Sequence, residues 1–357
     1  QSGAIPCIGL GTAGLKGERC YNSVTKALEV GYRHIDTALL YNNQEQVGAA
    51  IKASSVPREN IFLTSKVAFF PNGDPTIWMY NNELAGKPNF NGEINHKGDE
   101  ERSIKFALGQ LMVENVDLLL IHNPCVTPLE YNAACLPHFF ELFYFQKDDS
   151  AVKPSVLPDG TKLRDLILTA KTKHAHDEFK EEGVAQKAFD TRKASWQALE
   201  KAQRNGQAKY IGVSNYTADL LEEMEQYAEI MPAVNQLELH PKYASPKLQA
   251  VAKRLGVVLT GYGQGHYVGI DNNDIINTLA TNHNKSSMQI VLRWMNQHGI
   301  VAVPRSANPL HMAENLDIFD FELSDEEIEL IDTLNENHPF VCVCVCVCVC
   351  VCVCVCV

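Results

Sequence analysis

The chain lacks the features that would point to a nucleic-acid, membrane or metal protein. Positive charge is scarce: 31 Lys and Arg stand against 43 Asp and Glu, for a formal net charge of −12. Nucleic acid and anionic membranes recruit basic surfaces, so neither is expected as a main partner. No hydrophobic targeting segment opens the sequence, which starts at Gln1 rather than Met, and a cytoplasmic setting is expected. Cysteine is thin outside the last 17 residues. Cys7, Cys20, Cys125 and Cys135 show no CxxC or Cys/His zinc spacing, which suits a reducing compartment. His174 and His176, within HAHDE, have no partners at ligand spacing, so no metal is expected.

The other eight of the 12 cysteines lie in Val341–Val357, a strict Val-Cys alternation. GTG and TGT encode Val and Cys, so a (GT)n repeat read in frame gives this peptide. Taken as protein, it would be β-prone, with thiols on one strand face and valines on the other. The tail is expected to stand outside the fold, as low-complexity sequence.

What is present begins with His34-Ile35-Asp36-Thr37-Ala38-Leu39-Leu40-Tyr41. A short apolar strand ends in a carboxylate, and a tyrosine follows in the next turn. The next predicted strand, Asn60 to Val67, carries Lys66 at its end, and the one after, Val116 to His122, ends in a histidine. A carboxylate, a phenol, an ammonium and an imidazole from successive strand ends make a proton-handling site. Singly, each has a plainer reading: Asp36 and Lys66 as a structural ion pair, Tyr41 as a packed loop aromatic, His122 as a core residue. Together they point to an enzyme.

The rest of the chain alternates in the same rhythm. Helices are predicted over Glu18–Val30, Gln44–Ser54, Glu100–Met112, Thr191–Asn205, Thr217–Tyr227 and Pro246–Leu255, with a helical pair across Asp271–Gln297 and two more ending near Asn335. Strands are predicted at Ile5–Gly11, Tyr210–Val213, Ala233–Leu239, Val257–Gly261 and Ile300–Val303, besides the three already named. Eight strands, each followed by helix, favour an α/β fold of the (β/α)₈ TIM-barrel type, with its active site at the C-terminal strand ends. Two stretches break the rhythm, at about 69–99 and 124–190, the second with an aromatic patch around Phe139, Phe143 and Tyr144. Both leave from C-terminal strand ends and are expected to hang over the pocket. The expected organisation is one barrel domain over 1–340 bearing these insertions, then the 341–357 tail.

A competing motif sits near the start. Gly9-Leu10-Gly11-Thr12-Ala13-Gly14 matches GxGxxG, and Asp36 ends the next strand 22 residues after Gly14. That is the dinucleotide fingerprint of a Rossmann fold. It leaves Tyr41, Lys66 and His122 unused, however, and the βα alternation runs on for eight units without a second domain.

Ordered motifs along nearly the whole chain carry a more specific likeness: PCIGLGTAGL, GYRHIDTALLYNNQEQVG, IFLTSKV, VDLLLIHNP, YIGVSNY, VNQLELHP, QIVLRWMNQHGIVAVPRS and AENLDIFDFELSDEEI. On these the chain resembles the aldo-keto reductases, (β/α)₈ barrels that bind NADPH and reduce aldehydes or ketones. The resemblance implies Tyr41 as general acid, Lys66 lowering its pKa, Asp36 holding Lys66, and His122 orienting the carbonyl. It implies Ser214, Asn215 and Gln236 as holders of the nicotinamide carboxamide, and Tyr262 as the ring stacked on it. Arg305 and Ser306 match the 2′-phosphate site, His311 falls where the family has a second basic residue, and Glu314 and Asn315 match the adenine-contacting pair.

The departures are as informative. Gly263-Gln264-Gly265-His266 stands where many members read Ser-Pro-Leu-Gly, and Asn123 stands where Trp is common, making one wall of the substrate pocket more polar. Arg305 replaces a usual Lys, and NADPH is the expected cofactor with NADH as the alternative. The expected activity is reduction of a small aldehyde, ketone or sugar by a monomer. The alternative is a non-catalytic redox-sensing module that binds the nucleotide on the same barrel.

Overall fold

A computed structural model describes residues 4–67, 100–124, 184–265, 269 and 272–337. The Val-Cys tail, both insertions apart from the ends described below, the aromatic patch, His174 and His176, and Cys125 and Cys135 lie outside the described residues. The chain divides into two compact units. The first, residues 1–69, 98–124 and 195–341, carries the sheet and every candidate site residue. The second comprises residues 70–97, 125–194 and 342–357, of which the structure describes 184–194.

Within the first unit the elements run β1 Leu10–Gly11, α1 Gly17–Val30, β2 His34–Asp36, α2 Gln44–Ala53, β3 Phe62–Val67, α3 Glu100–Leu111 and β4 Val116–Ile121. Helix α4, Val184–Arg204, enters it from the second unit. Then follow β5 Ala208–Ser214, α5 Ala218–Met224, β6 Val234–Glu238, α6 Pro246–Leu255, β7 Val258–Tyr262, α7 Asp274–His283, α8 Ser287–Gln297, β8 Val301–Ala302, α9 Pro309–Leu316 and α10 Asp325–Asp332. The strands pair in sequence order and all in parallel. A bridge from Ile8 to Ala302 joins the last strand to the first, with Gly9 N donating to the Ala302 carbonyl at 2.8 Å. The sheet therefore closes into the eight-stranded barrel that the alternation predicted.

The sequence periods account for these elements. All six residues of β4, Val-Asp-Leu-Leu-Leu-Ile, are buried, as a parallel strand covered on both faces requires. Helix α1 buries Cys20, Val24, Ala27 and Leu28 on one stripe and ends at Gly31, whose φ of 113° closes the last turn. Helix α4 starts at Val184, seven residues before the predicted Thr191, so the last residues assigned to the second insertion are helical.

The GxGxxG motif has a packing explanation. A Cβ on Gly9 would lie 2.5 Å from Nδ1 of His34, and one on Gly11 would lie 2.6 Å from the Val303 carbonyl oxygen. Gly14 has φ 76°, in the left-handed region. These glycines let β1 approach β2 and β8 closely where the barrel closes, which is a demand of the fold and independent of any phosphate.

Candidate active site

Because the strands are parallel, their C-terminal ends share one face of the barrel. Asp36 ends β2, Lys66 is next to last in β3, and His122 directly follows β4. Tyr41 closes a single 3₁₀ turn, Leu39–Tyr41, after β2. Buried Asn43 fixes that turn from below: its side chain accepts from Thr37 Oγ1 at 3.0 Å and donates to the carbonyls of Thr12 and Leu15. Lys16 Nζ donates to the Tyr41 carbonyl at 3.1 Å, adding a second tie from the loop after β1.

The four side chains meet. Lys66, with 0% exposure, donates from Nζ to Asp36 Oδ1 at 2.6 Å, to the Thr37 carbonyl at 3.1 Å and to the Tyr41 hydroxyl at 3.3 Å. The Tyr41 and His122 rings stand edge to face, with centroids 5.5 Å apart. An ion pair this deep persists only when its remaining polar atoms are satisfied. The second carboxylate oxygen of Asp36 accepts from Gln236 Nε2 at 2.7 Å.

The electrostatics assign protonation states. Burial raises the Tyr41 pKa well above its ordinary value, and the negative charge of Asp36 adds to this. The phenol is therefore a stable proton reservoir at neutral pH, and in this geometry burial outweighs the lowering expected from Lys66. Burial lowers the Lys66 pKa, against the raising effect of Asp36. Burial and then the Lys66 charge hold His122 well below the usual histidine range, so its imidazole is neutral. A neutral imidazole can donate one hydrogen bond while the phenol keeps its proton.

A second polar group lies alongside. Ser214 Oγ donates to the Gln236 carbonyl at 2.7 Å. Asn215, in the left-handed region at φ 64°, donates from Nδ2 to the His122 carbonyl and to Asn123 Oδ1, each at 2.9 Å. Its Oδ1 accepts from the Tyr262 hydroxyl at 2.7 Å. Asn123, expected only as pocket wall, thus touches the amide beside it, and the Gln236–Asp36 bond joins the two groups. Gln264 is 2% exposed, and its Nε2 has no hydrogen-bond partner among the described residues. Buried amides and hydroxyls at this end of the barrel fit a polar, amide-bearing ligand better than an apolar one.

The remaining predicted residues sit apart from this group. Arg305 is exposed and donates from Nη1 to the Ala13 carbonyl at 3.2 Å, while Ser306 Oγ bonds Asn308 in its own loop. Arg305, Ser306 and His311 line one surface cleft. On α9, Glu314 is exposed, whereas Asn315 is buried beside the Tyr32 hydroxyl. Among the described residues no cluster of three or more His, Cys, Asp or Glu could hold a metal ion, and no helix is long and apolar enough to cross a membrane.

Comparison with known proteins agrees with this geometry. The sequence matches the profile of the Aldo/keto reductase family over residues 7–264 and 268–336. It is 33% identical to aldose reductase B of Dictyostelium discoideum, over 93% of this chain and 90% of that protein. It is 31% identical to glyoxal reductase of Bacillus subtilis (strain 168), with the same coverage of both. Among solved structures, an aldo-keto reductase from a Medee basin deep-sea metagenome library aligns with a TM-score of 0.67 at 27% identity, covering 94% of this chain and 93% of that one. The Bombyx mori aldo-keto reductase in complex with NADP aligns at 0.64 and 26%, covering 94% and 91%. A closed barrel of eight parallel strands, a carboxylate–ammonium–phenol–imidazole group at its C-terminal face and a family profile along almost its whole length lead to one conclusion: the chain belongs to the aldo/keto reductase family.

Proposed function

We propose that the protein reduces a small aldehyde, ketone or sugar carbonyl to an alcohol with NADPH as hydride donor, and that Tyr41 is the general acid. The observation that carries this reading is the Lys66 ammonium set between the Asp36 carboxylate at 2.6 Å and the Tyr41 hydroxyl at 3.3 Å. When bound, the nicotinamide supplies the hydride that adds to the carbonyl carbon.

The chain's own residues manage the charge that appears on oxygen. Tyr41 gives its hydroxyl proton to the carbonyl oxygen, and the phenolate left behind sits against the Lys66 ammonium. Lys66 stays charged because Asp36 compensates it, and Asp36 is kept in place by Gln236. Neutral His122 donates a hydrogen bond to the same oxygen without competing as the acid. Ser214, Asn215 and Gln236 are the amide and hydroxyl groups that would hold the carboxamide. Tyr262 would cover the ring, and Arg305 and Ser306 would take the 2′-phosphate, with Glu314 and Asn315 beside the adenine. The same reading makes the protein a cytoplasmic monomer whose barrel, residues 1–340, is a single domain bearing two insertions.

The test is NADPH consumption with a reactive aromatic aldehyde, in wild type and in Tyr41→Phe, with cofactor binding followed by fluorescence quenching. Turnover lost by a factor of roughly 10²–10⁴ with binding retained is the expected result. Full turnover in the variant removes Tyr41 as the acid. Tight binding with no turnover of any carbonyl by wild type would make the chain a nucleotide-binding module instead.

A further inference from the structure

A surface cleft of about 970 Å³ opens between α1 and the segment joining β8 to α9. One wall carries Arg305, Ser306 and His311, already assigned above to the cofactor's phosphate end. The other wall belongs to α1 and was not anticipated from sequence. It presents Arg19, Asn22, Ser23 and Lys26, which fall at i, i+3, i+4 and i+7 and therefore share one helix face. The apolar stripe of α1, Cys20 to Leu28, packs inward together with Ser23, which is buried and donates to the Arg19 carbonyl at 2.7 Å, while Arg19 and Asn22 stay exposed.

Two observations make the walls a pair. Arg305 donates to the carbonyl of Ala13, in the loop that leads into α1, and this bond draws the β8 side toward the helix. The charges across the cleft are also unbalanced. Lys26 is matched by Glu29 at 3.0 Å, but the Arg19 guanidinium has no ion pair or hydrogen bond among the described residues. Arg19 and Arg305 thus share one cleft, with Glu18 as the single carboxylate among the described residues that line it. Two guanidinium groups lining one cleft suit a dianion with several acceptor oxygens, which describes a phosphate monoester better than a phosphodiester.

We propose that Arg19 is a second guanidinium ligand of the cofactor's 2′-phosphate, so that NADPH is recognised from both walls of the cleft. This rests on the cofactor reading above and goes beyond it, because it places a ligand on α1. Arg19 supplies a permanent positive charge on the wall opposite Arg305.

Calorimetric titration of the full chain with 2′,5′-ADP and with 5′-ADP separates the two ideas, since neither probe requires turnover. Wild type should prefer 2′,5′-ADP, and Arg305→Ala should lose that preference. Arg19→Ala should weaken 2′,5′-ADP by roughly tenfold and leave 5′-ADP unchanged, with Arg19→Lys intermediate. Glu18→Gln should tighten 2′,5′-ADP by a few-fold, because it removes the opposing charge. If Arg305→Ala loses the preference and Arg19→Ala keeps wild-type affinity, the assignment of Arg19 is wrong and the cofactor reading stands. Equal loss of both probes in Arg19→Ala also overturns the assignment. If wild type shows no preference at all, the cofactor reading falls with it. Both arginines are exposed, so an unchanged melting temperature should accompany each variant.

Discussion

Gln236 and Asp36 stand 200 residues apart in the chain and 2.7 Å apart in the barrel, the Gln236 amide donating to the carboxylate oxygen that Lys66 leaves open. One glutamine therefore serves both the proton-donating group and the group proposed to hold the carboxamide. With one Nε2 hydrogen committed to Asp36, the second N–H and the acceptor Oε1 remain to meet a ligand. Replacing Gln236 by Leu should cost about 1–3 kcal/mol of stability, by stranding a buried carboxylate oxygen, and should lower turnover as well. Chemical denaturation beside steady-state kinetics checks both. A variant of unchanged stability would show that the bond does not hold Asp36.

Lys66→Met should be more damaging to the fold than to any single contact. It leaves the Asp36 charge at 2% exposure with Gln236 as the remaining hydrogen-bond donor to its carboxylate among the described residues, a change worth about 3–5 kcal/mol. The double variant Lys66→Met, Asp36→Asn should recover much of that loss while remaining inactive. Failure of the second substitution to restore stability would mean that Lys66 acts by packing rather than by charge.

His34 should make the barrel sensitive to acid. Burial lowers its pKa from 6.5 to about 4, with Asp36 as the largest opposing influence. Between those values the unfolded chain binds more protons than the folded one, so stability rises with pH across the window. The contribution is complete above 6.5 and lost as pH falls toward 4, about 3 kcal/mol in all. Urea unfolding from pH 4 to 7 should show this slope in wild type, and His34→Asn should flatten it.

Gly9→Ala distinguishes the two meanings of the glycine motif. The added methyl would meet the His34 ring at 2.5 Å, so overpacking should cost about 1–3 kcal/mol with nucleotide affinity little changed in the folded fraction. Gly17→Ala meets nothing within 4 Å and should cost only the strain of its φ of 49°, about 1 kcal/mol. Lost affinity with intact stability in Gly9→Ala would restore the phosphate-loop interpretation.

The Tyr262 hydroxyl tests the amide pair. Tyr262→Phe keeps the ring but leaves Asn215 Oδ1 without its 2.7 Å donor. Nicotinamide nucleotides should bind a few-fold more weakly, and 5′-ADP, which has no nicotinamide, should be unaffected. Equal weakening of both would mean that the hydroxyl supports the loop in general.

The strands and the four acid–base side chains were legible because each was announced locally: an apolar run, a strand end, a titratable residue. The barrel followed from alternation, which is a one-dimensional property. What could not be read depended on closure. Gln236 is one of three polar residues in the buried strand β6, and nothing in its neighbourhood says that it faces Asp36 across the barrel. Arg19 and Lys26 look like the solvated face of an amphipathic helix, and only the packing of α1 beside the segment after β8 makes them a wall. The start of α4 was missed because charged residues dilute its apolar period until Trp196. The glycines near the start fit a phosphate motif as letters, and His34 and Val303 had to be beside them in space before their packing role appeared.

A closed sheet has no edge, but it can have a seam, and here the seam is narrow. The two strands that meet there, β1 and β8, are two residues each, where β3 and β4 are six. The amides of Gly9, Gly11 and Ala302, which bond across it, should be among the first in the sheet to exchange with solvent, well ahead of those in β3 and β4. Arg305 and Ala13 lie just past that seam and are tied to each other. Any ligand seated in the adjoining cleft would act as a clasp on the barrel, and its affinity should be readable as slowed exchange at those three glycine and alanine amides.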